Sequence, residues 1–295
     1  MRKISVFSVL FAFVAMLSMA TLLSSCGKDE PKPAPEASFS FKATGDGRTI
    51  EFTNESTNAT SYSWDFGDGQ TSTEVNPVHT YAEFKEYTVT LTATGDGGTN
   101  TYTYKITIVK TSPVKLDDAS FDDWNTIDVA FQSVDNNGGI LNKAKVDYDA
   151  DNIYFYLEVQ GNLTDSLWIG CWFDLDNDSL TGFKPWTHKA IGVDLYVEGQ
   201  LSTAGGAGMF EHSDPTGGQG WGWNDLGASD FITYGNHVQD GGVIKFEFAF
   251  KRLKLNTTTK TLGKKVTLAV TPYVNWEPAG FFPAKGANAF VLDMQ

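Results

Sequence analysis

The sequence predicts an all-β chain made of two successive sandwiches, a small immunoglobulin-like one followed by a larger, jelly-roll-like one. Three observations lead there. Apolar residues recur with a period of two in short runs, as they do in strands with one buried face. Glycine-rich turn signals separate the runs, and the 295 residues include 29 glycines. Helical periodicity is nearly absent, while aromatic residues make up 14% of the chain.

Residues 1–25 stand outside that fold. Arg2 and Lys3 precede an apolar stretch that ends in small residues, the make-up of a secretory signal peptide. The stretch is shorter than the roughly 20 apolar residues a membrane span requires. Leu23-Ser24-Ser25-Cys26 resembles the bacterial lipobox, which implies cleavage before Cys26 and acylation of that cysteine. The alternative is an ordinary secretory signal with an incidental cysteine. Several acyl chains on one residue make a stable anchor, where one chain does not. Residues 26–36 then form a tether, semi-extended through Pro31, Pro33 and Pro35. Acidic Asp29 and Glu30 just after the cysteine resemble the surface-export signal of Bacteroidetes lipoproteins, which implies an outer-membrane, cell-surface address. A periplasm-facing anchor is the alternative.

Charge narrows the partners. Removing Arg2 and Lys3 from the 22 basic residues leaves 20 against 36 acidic ones, a balance of −16 from Cys26 onward. Such a chain repels nucleic acid and anionic membrane surfaces, whereas neutral glycans and divalent cations remain compatible with it. With Cys26 acylated, Cys171 is alone and forms no intrachain disulfide. It lies in the strand-like run Leu167-Trp168-Ile169-Gly170-Cys171-Trp172-Phe173 and reads as a buried filler.

Residues 37–110 carry the smaller sandwich. Phe39 and Phe41 alternate, then Ile50 and Phe52, then Tyr87, Val89 and Leu91, then Tyr104, Ile106 and Ile108. Gly45-Asp46-Gly47 and Gly95-Asp96-Gly97-Gly98 supply turns between them. Trp64-Asp65-Phe66-Gly67-Asp68-Gly69, followed by Asn76-Pro77-Val78-His79-Thr80-Tyr81, resembles the PKD domain family. That resemblance implies a β-sandwich serving as a spacer in extracellular proteins. Trp64 is placed to fill the core, and Asp65 and Asp68 to bond turn amides. His79 reads as structural.

After a joint at 111–113, residues 113–295 hold the larger sandwich. Residues 144–148, the turn Asp149-Ala150-Asp151-Asn152 and residues 153–159 form a hairpin, with Ile153, Phe155, Leu157 and Val159 on one face. Ile169, Cys171 and Phe173 share a face in the next strand. Ile191, Val193, Leu195 and Val197 are expected inward from another, with Asp194, Tyr196 and Glu198 opposite. Residues 243–250 and 266–274 complete the clearest strands. Asp123-Trp124, the hairpin, and Asp174-Leu175-Asp176-Asn177-Asp178-Ser179-Leu180-Thr181-Gly182 ahead of Gly192-Val193-Asp194 together resemble the family 9 carbohydrate-binding modules and their DOMON-like relatives. That resemblance implies a sugar site using a pair of stacking tryptophans.

Two groups of residues are candidates for a site. Asp174, Asp176 and Asp178 are spaced i, i+2, i+4, so a loop can converge three hard oxygen ligands on Ca²⁺, with Asp194 as a fourth. The glycine and glutamate of an EF-hand are missing, and an acidic loop closed by Asx-turns is the alternative. Such an ion fixes a loop rather than performing chemistry. Trp221 and Trp223 in a glycine-rich segment, Trp276 beside Pro278, and Trp186 after Pro185 are the candidate sugar-stacking residues; plugging the sandwich ends is the alternative. Trp124, Trp168 and Trp172 read as structural.

The expected function is a non-catalytic, lipid-anchored surface protein. It captures polysaccharide or oligosaccharide for uptake or degradation by a neighbouring outer-membrane transporter and glycoside hydrolases. Adhesion to a protein partner is the alternative. An enzyme is less favoured: Glu158, Glu198, Glu211, Glu247 and Glu277 could supply paired carboxylates, yet no nucleophile motif accompanies them. Haem binding is least favoured, because no methionine–histidine pair stands out.

Overall fold

The computed structural model describes residues 31–294 except 166, 205 and 215–219. The signal peptide, Cys26 and Gly217-Gly218-Gln219 therefore lie outside the described residues. Within them the chain is all-β, broken by three short 3-10 turns at Asp122–Thr126, Leu201–Thr203 and Arg252–Lys254. No helix there is long and apolar enough to cross a membrane. Packing separates two compact units: one holds the chain up to Phe41 with Phe52–Pro77 and Thr88–Lys105, the other Lys42–Glu51, Val78–Tyr87 and Ile106–Gln295.

Seven strands make the smaller sandwich: β1 (Phe39–Thr44), β2 (Thr49–Asn54), β3 (Ser61–Asp65), β4 (Thr71–Ser72), β5 (Val78–Thr80), β6 (Glu86–Gly95) and β7 (Gly98–Thr107). They form sheets ordered β1-β2-β5 and β4-β3-β6-β7. Alternation does the sorting. Phe39 and Phe52 from one sheet meet Trp64 from the other at 5.2 and 5.4 Å between ring centroids. The Trp64 indole N–H donates to the Glu74 carbonyl at 2.9 Å, so the buried ring leaves no donor stranded. Asp65 and Asp68 accept from the Gly67 and Gln70 amides at 2.9 and 3.0 Å, as expected of turn-bonding carboxylates. His79 is buried against Tyr81 at 4.5 Å.

Twelve further strands follow: β8 (Val129–Gln132), β9 (Leu141–Tyr148), β10 (Asn152–Gln160), β11 (Leu167–Asp174), β12 (Leu195–Gly199), β13 (Ala207–His212), β14 (Trp223–Asp225), β15 (Ile232–Asp240), β16 (Val243–Lys251), β17 (Lys265–Val274), β18 (Glu277–Pro278) and β19 (Phe290–Asp293). One sheet runs β15-β16-β10-β9-β8; the other runs β14-β13-β12-β11-β17-β18, with β19 also paired to β17. Between them Ile153, Phe155, Leu157, Ile169, Cys171, Phe173, Phe246, Phe248 and Val270 form the main core. The expected hairpin is present, with Ile153 opposite Tyr148. Cys171 is a buried thiol whose pKa burial pushes far up, so it is an inert filler.

The strand expected from Ile191 to Val197 is shorter than its alternation suggests. Leu195 and Val197 enter the main core, but Ile191 and Val193 pack with Trp172 and Tyr196 on the other side of the sheet. The cause is local: Val193 bridges Phe183, and regular pairing begins only at Leu195. Both faces of the seven-stranded sheet are thus partly covered.

Candidate functional site

Alternation along β11, β12 and β17 decides what the outer face of the seven-stranded sheet presents. Ile169, Cys171 and Phe173 turn inward, which turns Trp168, Gly170 and Trp172 outward. Register sets Trp172 beside Tyr196 and Ala269, Gly170 beside Glu198 and Thr271, and Trp168 beside Tyr273. Small residues alternate with large ones here. A Cβ on Gly170 would meet the Tyr196 hydroxyl at 2.8 Å and the Tyr273 ring at 2.9 Å, so both phenols lean over the glycine.

Trp172 and Tyr196 are buried and stacked at 4.2 Å, and the Trp172 indole donates to Thr271 at 3.1 Å. Above them lie Phe183, Trp221 and Trp223. Trp221 stands edge-on to Trp172 at 6.2 Å and within 6.1 Å of Trp186. Trp186 and Trp221 remain 67% and 59% exposed. The structure thus brings three of the four candidate tryptophans together. Trp223 is half-buried in strand β14 rather than in a loop; His212 supports it at 5.1 Å. The His212 ring nitrogens face the carbonyls of Asp214 and Gly220, which fastens the segment bearing Trp221.

Trp276 sits apart from that group. It occupies the two-residue turn between β17 and β18, is 65% exposed, and leans on Trp168 at 4.7 Å. Trp168 was expected to be structural, and it is half-buried on the outer face. Sequence reasoning missed its partnership with Trp276 because the two are far apart in the chain; outward alternation along β11 was the available signal. Trp124 does belong to the interior, donating to Glu247 at 2.6 Å.

Between the two groups the floor is polar. Tyr196 donates to Glu198 at 2.9 Å, and Tyr196 and Tyr273 share a hydrogen bond. Burial pushes both phenols far above their ordinary pKa, so they stay neutral and able to donate near neutrality.

The acidic loop follows β11. Asp174, Asp176 and Asp194 can each bring one oxygen to within 4.8 Å of the others. Asp178 stays outside this trio, accepting from the Leu180 amide at 3.0 Å while its own amide donates to Asp174 and Asp176. Asx-turn geometry holds it there. The Lys260 ammonium reaches Asp176 at 2.7 Å, Asp194 at 2.8 Å and the Thr181 hydroxyl at 2.7 Å. Burial, opposed by the Gly192 amide and helped by the charges of Asp194 and Asp176, pushes Asp174 up to about 7. Burial likewise raises Asp194. It works against Asp176 too, but the Lys260 ammonium and the Asp178 amide outweigh it and hold that carboxyl low.

Three of the other candidate carboxylates are engaged by neighbouring residues. Glu158 pairs with Lys143, Glu211 accepts from Thr258, and Glu247 accepts from Trp124 and Asn236. Glu277 is exposed in β18.

Against known proteins, residues 32–109 match the PKD domain family. Collagenase ColQ1 and collagenase ColA, both of Bacillus cereus, are 68% and 66% identical over 31 and 32 residues, covering 10% and 11% of this chain. The match spans only 3% of either collagenase. The solved PKD1 domain of Vibrio anguillarum Epp is 40% identical, covering 26% of this chain and 95% of its own, at a TM-score of 0.24. A structure described under the promiscuous specificity of carbohydrate-binding modules from the β-sandwich superfamily is 13% identical. It covers 85% of this chain and 99% of its own, at a TM-score of 0.25. Residues 32–109 are a PKD domain.

Proposed function

We propose that the larger sandwich binds glycans on the outer face of its seven-stranded sheet, without catalysis, and that the chain presents it from a lipid anchor at Cys26 on the outer-membrane surface. The carrying observation is the exposure of Trp186 and Trp221 side by side over a packed aromatic floor. Large rings left in water are costly unless they meet a ligand, and pyranose C–H faces stack on indole. The half-exposed Tyr273 phenol and Glu198 supply the hydroxyl-bonding groups. The PKD domain acts as the spacer in this reading, and a neighbouring transporter and glycoside hydrolases take up the captured polysaccharide. Engagement of Glu158 by Lys143, of Glu211 by Thr258 and of buried Glu247 by Trp124 favours a binding role over turnover.

Calcium enters as a structural ion. The donor set of Asp174, Asp176 and Asp194 suits a hard cation, and the Lys260 ammonium occupies part of that position, 2.7 Å from Asp176 and 2.8 Å from Asp194. Calcium held there competes with Lys260 and stiffens the loop.

Affinity electrophoresis through gels containing soluble neutral polysaccharides tests the main reading. At least one polymer is expected to retard the protein, and Trp221→Ala to abolish most of that retardation. Free migration of the wild-type protein across a broad panel would transfer the exposed rings to a protein partner, the adhesion reading.

A further inference from the structure

Trp276 is the most unusual residue of the outer face. The turn Asn275-Trp276 has φ of +51° and +67°, positive at both positions. Two-residue hairpin turns of this kind favour Asn-Gly, because glycine has no Cβ to crowd the left-handed conformation. Asparagine is in its preferred place. Tryptophan stands where glycine belongs, and a bulky residue at positive φ is a backbone outlier that persists only where something holds it. Burial is not the reason, since the ring is 65% exposed. Its described ring contact is Trp168, at 4.7 Å and 37° between planes.

We infer that Trp168 and Trp276 form a second stacking station, so that the face binds an internal run of a neutral polysaccharide rather than a single sugar or a chain end. This rests on the glycan reading above and extends it. Trp168 and Trp172 are four residues apart on β11, roughly 13 Å at the rise of a strand. Trp172 underlies the Trp186–Trp221 station, and Trp168 underlies Trp276. That separation exceeds one sugar ring. Half-exposed Tyr273 and Glu198 fill the interval, with buried Tyr196 donating to Glu198 from beneath, so hydroxyl and carboxylate groups stand where intervening sugars would present hydroxyls. An indole station at each side of a polar strip suits a linear chain lying across it. Charge selects which chain: the protein carries a formal −14 and the strip itself holds Glu198, so a polyanionic polymer is disfavoured.

The turn geometry supplies an unusually clean variant. Trp276→Gly removes the ring while installing the residue that the backbone prefers, so loss of folding does not confound the result. Binding is measured by titration calorimetry of the protein with a neutral polymer that retards it and with its oligosaccharide length series. In the wild type, affinity is expected to climb with length until both stations are spanned, then level off. Trp276→Gly is expected to weaken polymer and long-oligosaccharide binding about tenfold, the equivalent of 1.4 kcal/mol, and to leave the shortest binding oligosaccharide unchanged. Trp221→Ala weakens both. If Trp276→Gly binds the polymer like wild type while Trp221→Ala does not, the second station is overturned and the glycan reading stands. If Trp276→Gly loses the shortest ligand as fully as the polymer, the two-station arrangement is overturned. If the wild type binds no glycan, both readings fall.

Discussion

Trp124 and Glu247 join through a bond of 2.6 Å, and the Asn236 amide occupies the other carboxylate oxygen at 3.0 Å. Burial still raises Glu247 above its ordinary 4.5; these two donors oppose the shift, and Asp123 and Asp118 add to it. A carboxyl whose pKa is higher folded than unfolded favours the folded state in its protonated form. Its contribution is complete below 4.5 and is lost as pH rises through the raised value. Melting temperature of the protein is therefore expected to fall across that window, and Glu247→Gln to make the fall shallower; an unchanged slope would refute the assignment. Lys260 gives a second residue-scale prediction. Lys260→Gln leaves Asp174, Asp176 and Asp194 without their internal cation, so calcium is expected to raise the melting temperature of that variant far more than that of wild type, and EDTA to reverse the gain. Equal responses would remove calcium from the loop. The pairing of Asp174 with Asp176 was legible in sequence, although Asp178, two residues on, closes a turn instead of joining them. Lys260 was not, because it approaches from a segment more than eighty residues away.

At the level of elements, the Asp65–Gly69 turn shows how a motif becomes geometry. Gly67 and Gly69 have φ of +79° and +90°, values that disfavour any side chain by about 1–2 kcal/mol. Only Gly67 also faces a wall: a Cβ there would lie 2.4 Å from the Thr88 carbonyl, whereas nothing lies within 4 Å of one on Gly69. Alanine at Gly67 is expected to destabilise the PKD domain clearly more than alanine at Gly69, as read by paired denaturant titrations. Equal costs would reduce both glycines to backbone conformation alone. Strands were readable wherever one face is buried, as in β10 and β16, because a period of two leaves a direct trace in the sequence. It misled between Ile191 and Leu195. Gly192 passes so close to the Thr181 carbonyl that a Cβ would meet it at 1.9 Å, and this local backbone contact, beside the Phe183–Val193 bridge, sets the path there. Trp223 misled for a similar reason: its glycine-rich neighbours suggest a loop, yet pairing with His212 makes it a strand residue.

The whole molecule couples a strongly acidic composition to an aromatic face, and the two make opposite demands on a ligand. Fold class and charge were legible from composition and periodicity, since both are sums over the chain. Which rings meet was not, because Trp168, Trp186, Trp221 and Trp276 come from separate segments that only the sheet order assembles. Stacking of a neutral ring on indole involves no net charge, whereas attraction between opposite charges is screened over about 8 Å at physiological ionic strength. Binding of a neutral polysaccharide is therefore expected to change little between 50 mM and 500 mM salt. A sulfated or uronate-rich polymer should fail to bind at low salt, where repulsion from the net −14 charge is greatest. Affinity gels run at both salt concentrations measure this directly. Retardation by an anionic polymer that disappears with added salt would mean that basic residues capture the ligand, and would move the site away from the tryptophan face.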